Sequence, residues 1–579
     1  MSNLGNFVWS IADQLRGVYK PHQYGGVILP FTILRRLDAI LTPTRDQVRE
    51  LAARYEGGAL DLQVKRKTGL GFYNTSEFDF GRLLEDPEGL RANLMEYLTS
   101  FSANIDVFER FKVENEIATL DEKNRLYLVV SKFAEVNLHP DVVPNAEMGD
   151  LFEELIRKFA EASNEEAGEH YTPRDAIRLM ADLLFAEDNA ALMEPGTIRT
   201  IYDPTAGTGG MLSVAEERLL ERNPDARLRL YGQEINDQSY AICKSDMIAK
   251  DQDPSNIRLG DTLADDQFWD KTFDFCMSNP PYGVDWKASE AVVKAERLRS
   301  GGKGRFGHGL PAVSDGQMLF LTHLAHKMRP EHEGGGRAGI VLNGSPLFNG
   351  GAESGPSEIR RWLLETDLVE AIIALPTDMF FNTGIATYIW LLANTKRADR
   401  AGKVQLIDAT ALGTKMRKSL GSKRKEISAD AREAILKLYD AYETDTDQSK
   451  VFATTEFGYW TITVERPLLN EDGTPVLDAK RKPKPDAKKR DTENIPFTYG
   501  GNTDGDDGRE ATVKAYFEAE VLPHVPDAWI DPKKTKVGYE IPFTRHFYRY
   551  VPPRPLAEID ADLEAQVAKI LELLREVER

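Results

Sequence analysis

Cysteine is nearly absent: Cys243 and Cys276 are the only two in 579 residues, too few for a disulfide framework. That excludes small cross-linked secreted scaffolds and suits a reducing compartment. Cys276 lies in an apolar run and reads as a small core residue. Long apolar runs are missing too. No stretch reaches the roughly 20 residues that span a bilayer, and no leader-like segment opens the chain. The expectation is a cytoplasmic protein with no membrane association. The third deficit is positive charge, with 73 Lys and Arg against 93 Asp and Glu and a net charge of -20. Such a chain repels polyanions except at local basic patches. Three segments are candidates: Lys415-Met416-Arg417-Lys418 with Lys423-Arg424-Lys425, Lys480 to Lys484 with Lys488-Lys489-Arg490, and Lys294 to Arg305. The first two read foremost as solvated connections. The third is better placed because it follows the catalytic motif described next. His323 and His326 share a helix face without an acidic or Cys partner, so they read as packing residues and no metal site is expected.

What is present gathers at the ends of predicted strands. The apolar run Phe273 to Ser278 ends in Asn279-Pro280-Pro281-Tyr282, followed by Gly283. A Pro-rich turn after a buried strand is the plainer reading. The chemical reading is a site for methylating an amino group. An exocyclic amine conjugated to a ring is a poor nucleophile, and its lone pair must be localised and aimed. The Asn279 side-chain oxygen and the Pro280 carbonyl can accept the two amino hydrogens, and Tyr282 offers a face for a planar target. Stacking of that kind contributes about 1 to 3 kcal/mol per base, which offsets part of the few kcal/mol needed to flip a base out of a duplex.

Upstream, Thr200-Ile201-Tyr202 reads as a strand, Asp203-Pro204-Thr205-Ala206-Gly207-Thr208-Gly209-Gly210 as a glycine-rich loop, and Met211 to Leu220 as a helix. Gly207 and Gly209 let the backbone approach a ligand, and the helix start supplies free N–H groups. The spacing is not G-x-G-x-x-G and no P-loop Lys follows, so a carboxylate-bearing nucleoside fits better than a nucleotide phosphate. S-adenosyl-L-methionine is such a nucleoside. The next strand ends in Glu234, suited to ribose hydroxyls, and the third in Asp261, suited to an adenine amino group. Gly168-Glu169-His170-Tyr171-Thr172-Pro173-Arg174-Asp175 opens a helix, with Thr172 predicted as N-cap, Pro173 at the first helical position and Asp175 completing a capping box. Tyr171, Thr172 and Pro173 are expected to wall the cofactor pocket.

The order G-E-H-Y-T-P, D-P-T-A-G-T-G-G-M, Q-E, G-D, N-P-P-Y-G resembles the gamma arrangement of DNA adenine-N6 methyltransferases. More narrowly, it is similar to the modification (M) subunit of type I restriction-modification systems. The opening Leu4 to Trp9 and Tyr24 to Asp38 resemble that family's helical N-terminal domain. The resemblance covers most of residues 1 to 410 and implies an S-adenosylmethionine-dependent enzyme acting on double-stranded DNA. It assigns Glu169 to Arg174, Ala206 to Gly210 and Glu234 to the methyl donor, and Asn279, Pro280, Pro281 and Tyr282 to the target adenine. Leu375 to Gly384 resembles the segment that presents an aromatic to the flipped base, here Phe381 in preference to Phe380. It also implies two M chains on one specificity (S) subunit, with a restriction (R) subunit in the full complex.

Periodicity divides the chain further. Residues 1 to 150 carry helical spacing, as in Phe7, Val8, Ile11 and Leu15. Residues 151 to 410 alternate helices and strands, which predicts a doubly wound, mostly parallel Rossmann-like sheet. Residues 411 to 555 form a mixed extension with a long loop or arm over about 467 to 510. Residues 556 to 579 form a terminal helix whose apolar stripe, Ile559, Leu563, Val567, Ile570, Leu571, Leu574 and Val577, suits docking on a partner. Three alternatives stay open: a solitary or other phage-defence adenine methyltransferase with its own recognition domain, a protein or RNA methyltransferase sharing N-P-P-Y, and a scaffold without turnover.

Overall fold

Phe7, Ile11 and Leu15 share one face of the helix Asn3–Leu15, and Ile11 and Leu15 are fully buried. This is the first element of a computed structural model. It describes every residue except 1–2, 21–22, 145–146, 149–150, 152–154, 156–171, 188, 250–251, 381–383, 421, 444, 503–504, 551–554 and 578–579. Among the described residues, nine α-helices and no β-strand lie between Asn3 and Ala134. Their apolar faces converge on the helix Tyr24–Leu41, where Ile28 and Phe31 are fully buried. The same core takes in Ala241, Ile242 and Ile248 of the helix Asp237–Ala249. Lys244 Nζ crosses that contact to Asp106 Oδ1 at 2.6 Å. The helical region is thus seated on the helix that follows Glu234.

From Arg174 onward helices alternate with strands: β1 (Ile198–Asp203), β2 (Arg227–Glu234), β3 (Ile257–Leu259), β4 (Phe275–Ser278), β5 (Arg337–Asn343), β6 (Val369–Ala374), β7 (Thr387–Ala393) and β8 (Lys403–Asp408). A hairpin of β9 (Thr414–Leu420) and β10 (Lys423–Glu426) precedes β11 (Ser449–Ala453). Nine of these strands form one sheet in the order β11-β8-β6-β7-β5-β4-β1-β2-β3. Five pairings are parallel and three, β5 with β7, β6 with β7 and β8 with β11, are antiparallel. Every residue of β6 and β7 is buried, as a strand covered on both faces requires. The sheet is the doubly wound, mostly parallel one predicted.

The winding reverses beside β1. The chain steps from β1 through β2 to β3 on one side, then returns to β4 and β5 on the other. β1 and β4 are therefore neighbours, pairing Ile201 with Phe275 and Tyr202 with Cys276. Ligands of open α/β sheets bind outside the carboxyl ends of strands at such a switch point. Asp203 ends β1 and Asn279 follows β4, so topology alone brings the two motifs together.

A second sheet is centred on β12 (Gly458–Glu465), which pairs antiparallel with β13 (Asp491–Pro496), β14 (Trp529–Ile530) and β15 (Lys536–Tyr539). The predicted loop over 467 to 510 is corrected here, because β13 lies inside it. Ile495 is the one buried residue of that strand, so the alternation that marks a strand is lacking. Before it, bridges Pro467↔Pro485, Leu469↔Pro475 and Leu477↔Pro483 tie the Pro-rich stretch into paired turns. Arg490 pairs with Glu465 at 2.9 Å.

The chain divides into two units, Met1–Ile541 and Pro542–Arg579. In the second, the helix Leu556–Val577 shows Leu563, Val567, Ile570 and Leu571 each more than half exposed. No helix of the described residues is long and apolar enough to cross a membrane.

Candidate active site

The loop after β1 is shaped by backbone. Gly207 and Gly209 take left-handed φ values of +53° and +86°, a conformation that favours glycine. A Cβ on Gly209 would also lie 2.9 Å from Cys243 Sγ. Ala206 N donates to Gln233 O at 3.0 Å and Gly207 N to Glu234 Oε2 at 2.7 Å, stitching the loop to the end of β2. The other Glu234 oxygen accepts from Asn236 N at 2.8 Å. Asp261 is held in the same manner, accepting from Leu263 N at 2.9 Å and Ser289 Oγ at 2.5 Å. Asp203 is 1% exposed and accepts from Thr205 N at 2.9 Å and Thr205 Oγ1 at 3.2 Å. Burial pushes its carboxyl up to about 7. Thr205 Oγ1 lies 2.8 Å from Ser278 Oγ, which ties the loop to β4.

The other half is shaped by side chains. Asn279 Nδ2 donates to Thr172 Oγ1 at 2.9 Å, and the Tyr282 hydroxyl donates to Asn279 Oδ1 at 2.5 Å. Burial raises the Tyr282 phenol, which keeps it a neutral donor. Its ring meets Phe380 edge-on, with centroids 6.5 Å apart at 82°. Phe380 is 2% exposed and belongs to the core.

Between the halves lies a cavity of about 470 Å³. Glu234 and Asp261 line it from the first half, and Asn279 and Pro281 from the second. Pro280 is buried, and Tyr282 is half-buried beside Asn279. Asp203, Ala206, Gly207, Thr208, Gly209 and Gly210 belong to the loop that brings Pro204 and Thr205 to the cavity wall. Arg174 does not line it; its guanidinium lies 3.6 Å from Glu217 on the helix Gly210–Arg222. Glu169, His170, Tyr171 and Phe381 lie outside the described residues.

Three expectations are corrected by long-range partners. Thr172 is not an N-cap: the helix runs Arg174–Ala186 with Pro173 in the cap position and no side-chain cap. The Thr172 hydroxyl serves Asn279, while Asp175 accepts from Lys423 Nζ at 3.0 Å and Ile427 N at 2.8 Å. Lys423 is therefore no solvated loop residue; it is 4% exposed. Arg305 is no phosphate contact either. Its guanidinium donates to Glu296 Oε2 at 2.6 Å, to Thr262 O at 2.8 Å and to His323 Nδ1 at 3.0 Å. Because Arg only donates, His323 Nδ1 accepts and its Nε2–H faces the Tyr202 hydroxyl at 3.1 Å. His323 is fully buried and holds both ring nitrogens in this polar network.

Sequence reasoning did not single out Asn236, Trp286, Ser289 or Phe320, all of which line the cavity. Trp286, shortly after N-P-P-Y, was open to notice. The Ser289–Asp261 bond joins distant segments and left no local signal.

With this geometry in hand, comparison with known proteins is informative. The N-6 DNA Methylase family profile matches residues 144–458, and the HsdM N-terminal domain profile matches residues 4–133. The type I restriction enzyme MjaIX methylase subunit of Methanocaldococcus jannaschii is 25% identical, over 77% of this chain and 78% of its own length. The HindI methylase subunit of Haemophilus influenzae is 28% identical over 46% of this chain and 55% of its own. A type I restriction-modification system methyltransferase subunit from Streptococcus thermophilus shares the fold, with a TM-score of 0.61 and 23% identity over 78% of this chain and 96% of its own. The matched stretch contains β1 to β4 and both halves of the cavity, and the chain belongs to the N-6 DNA methylase family as an HsdM-like, type I methylase member.

Proposed function

We propose that this chain methylates N6 of adenine in double-stranded DNA, with S-adenosyl-L-methionine as donor, as the modification subunit of a type I restriction-modification complex. One observation carries the reading: a single cavity is bounded by Glu234 at the end of β2, Asp261 just after β3, and Asn279 and Pro281 after β4. A nucleoside donor and a planar amine would meet there. The motif order, donor loop before N-P-P-Y, fits the gamma arrangement.

S-adenosylmethionine supplies a methyl carbon made electrophilic by its sulfonium. Glu234, fixed by Gly207 N and Asn236 N, is suited to the ribose hydroxyls, and Asp261 to the adenine amino group of the donor. On the target side, Thr172 takes Asn279 Nδ2 and leaves Oδ1 turned toward Tyr282. The target amine replaces the Tyr282 hydroxyl at that oxygen, and the Pro280 carbonyl takes the second amino hydrogen. Two acceptors on one amine localise its lone pair and aim it at the donor methyl; the N–C bond would form as the S–C bond breaks, the sulfonium leaving as a neutral thioether and the surplus amino proton passing to water. Tyr282 stacks on the base, and by the resemblance Phe381 presents a second aromatic. Positioning of this kind supplies much of the rate.

The net charge of -20 suits a division of labour in which an S subunit between two copies of this chain reads the sequence and an R subunit completes the nuclease. The exposed stripe on Leu556–Val577 suits docking on S-subunit helices. The test is single-molecule methylation mapping of host DNA from cells carrying the native chain or Asn279→Ala. Loss of N6-methyladenine at a bipartite motif is expected; an unchanged map overturns the reading.

A further inference from the structure

The β9–β10 hairpin concentrates positive charge in an acidic chain. From Thr414 to Lys425 the sequence holds six cationic residues, Lys415, Arg417, Lys418, Lys423, Arg424 and Lys425, and no acid. Strand alternation places Lys415 and Arg417 on one face. The register sets Lys425 directly opposite Lys415, adding it to that face, while Glu426 opposes Thr414 on the other. Lys415 and Arg417 are exposed and Lys425 is half-exposed. Like charges directly opposed across a strand pair repel. Among the described residues these three cations form no ion pair, in contrast to Lys294 with Glu290, Arg305 with Glu296 and Arg490 with Glu465. The hairpin carries a repulsion that a bound polyanion would relieve.

Its root sits next to the target half of the cavity. Arg424 N and Lys425 N both donate to Asp378 O, at 2.9 and 3.1 Å. Lys423 Nζ reaches Met379 O at 3.0 Å and both Asp175 oxygens at 3.0 Å. Met379 precedes Phe380, which meets the Tyr282 ring. Asp175 lies on the helix that starts just beyond Thr172, the partner of Asn279. Buried Lys423 thus couples the cationic hairpin to the two segments that frame N-P-P-Y. A base drawn out of a duplex keeps its own phosphates attached, so these must pass close to the site that receives it.

We propose that Lys415, Arg417 and Lys425 form a clamp on the phosphodiester backbone of the DNA flanking the target base. This deepens the DNA-methylation reading and rests on it for the identity of the polyanion. The binding energy is electrostatic and independent of sequence. It complements, and does not replace, recognition by a partner.

The test compares the native chain, in the complex purified from its cells, with the triple variant Lys415→Ala, Arg417→Ala, Lys425→Ala and with Lys415→Arg, Lys425→Arg. Duplex affinity is read by fluorescence anisotropy over a salt series, with donor affinity by calorimetry and single-turnover methyl transfer at saturating DNA. The triple variant is expected to bind duplex about tenfold or more weakly. Its slope of log K against log salt should be smaller by about 2 to 3, at about 0.9 for each phosphate no longer neutralised. Donor affinity and the saturated transfer rate stay within about twofold, and the Arg variant binds as the native chain does. Unchanged affinity and slope in the triple variant overturn the clamp, as does a loss confined to RNA or to acidic peptides. Transfer by native and triple variant alike, with equal slopes, overturns the clamp and leaves the methylation reading. Hairpin-dependent duplex binding without transfer by the native chain does the reverse.

Discussion

The two halves of the cavity are built by different means. On the side proposed for the donor the key contacts are made by backbone: Gly207 N holds Glu234, Ala206 N holds Gln233 O, and left-handed glycines shape the turn. Its parts come from adjacent strands close in sequence. On the side proposed for the target the contacts are between side chains: Thr172 and Phe380 reach Asn279 and Tyr282 from distant segments, and Tyr282 donates to Asn279 within the same turn. A backbone cradle tolerates most side-chain changes but not the loss of a glycine. A side-chain cluster tolerates backbone variety but not truncation.

The largest expected effect separates the two halves outright. Asn279→Ala removes the acceptor proposed for the target amine and should lower methyl transfer by about a thousandfold, comparable to losing a transition-state hydrogen-bonding group. Donor affinity in calorimetry should stay within about threefold. Comparable loss of both would mean the halves are not separable.

Asp203 offers a second break, through stability. Its folded pKa of about 7 lies above the ordinary 3.8 because the carboxyl is buried. Between those values the native state holds a proton that the unfolded chain releases, so the Asp203 contribution to stability falls as pH rises from about 4 to 7 and is level above. Asp203→Asn, which keeps the acceptor for Thr205, removes that slope. The variant is expected to gain on the native chain by on the order of a few kcal/mol between pH 4 and pH 8. Urea unfolding at both pH values checks it, and parallel slopes would count against it.

Gly209→Ala sharpens the contrast from the donor side. Left-handed backbone costs an L residue about 1 to 2 kcal/mol, and the new methyl meets Cys243 Sγ. Donor affinity should fall about tenfold or more. Adding Cys243→Ala should restore part of it, because the backbone cost remains; full restoration would show the clash alone mattered.

The smallest effect concerns orientation. Thr172→Ala removes the partner of Asn279 Nδ2 and should slow transfer by about five- to tenfold, the scale of one hydrogen bond of about 1 kcal/mol. Thr172→Ser should recover it. Equal rates in Ala and Ser variants would assign Thr172 a packing role only.

The difference between the halves also explains how much was legible beforehand. Buried strands such as β6 and β7 are continuous apolar runs, and their order with intervening helices reveals a doubly wound sheet. Glu234 and Asp261 were legible because strand ends recur at fixed places relative to the glycine loop. β13 was missed because Ile495 is its one buried residue. Thr172 and Asp175 were misread as a capping box because local spacing suggests a local bond. Asn279, Lys423 and Ile427, remote in sequence, took those groups instead. Arg305 was read with Lys294 to Arg305 as a candidate polyanion contact, but Glu296 and His323 close around it.

Sequence by itself determined the buried strands of the main sheet, the glycine-rich loop after β1 and the N-P-P-Y end of β4, because periodicity, glycine conformation and strand-end chemistry are local properties. Tertiary structure alone decided which polar side chains are spent inside the fold and which face outward. A hydrogen bond or ion pair depends on proximity in space, and chain position does not encode that proximity until the switch point between β1 and β4 has formed.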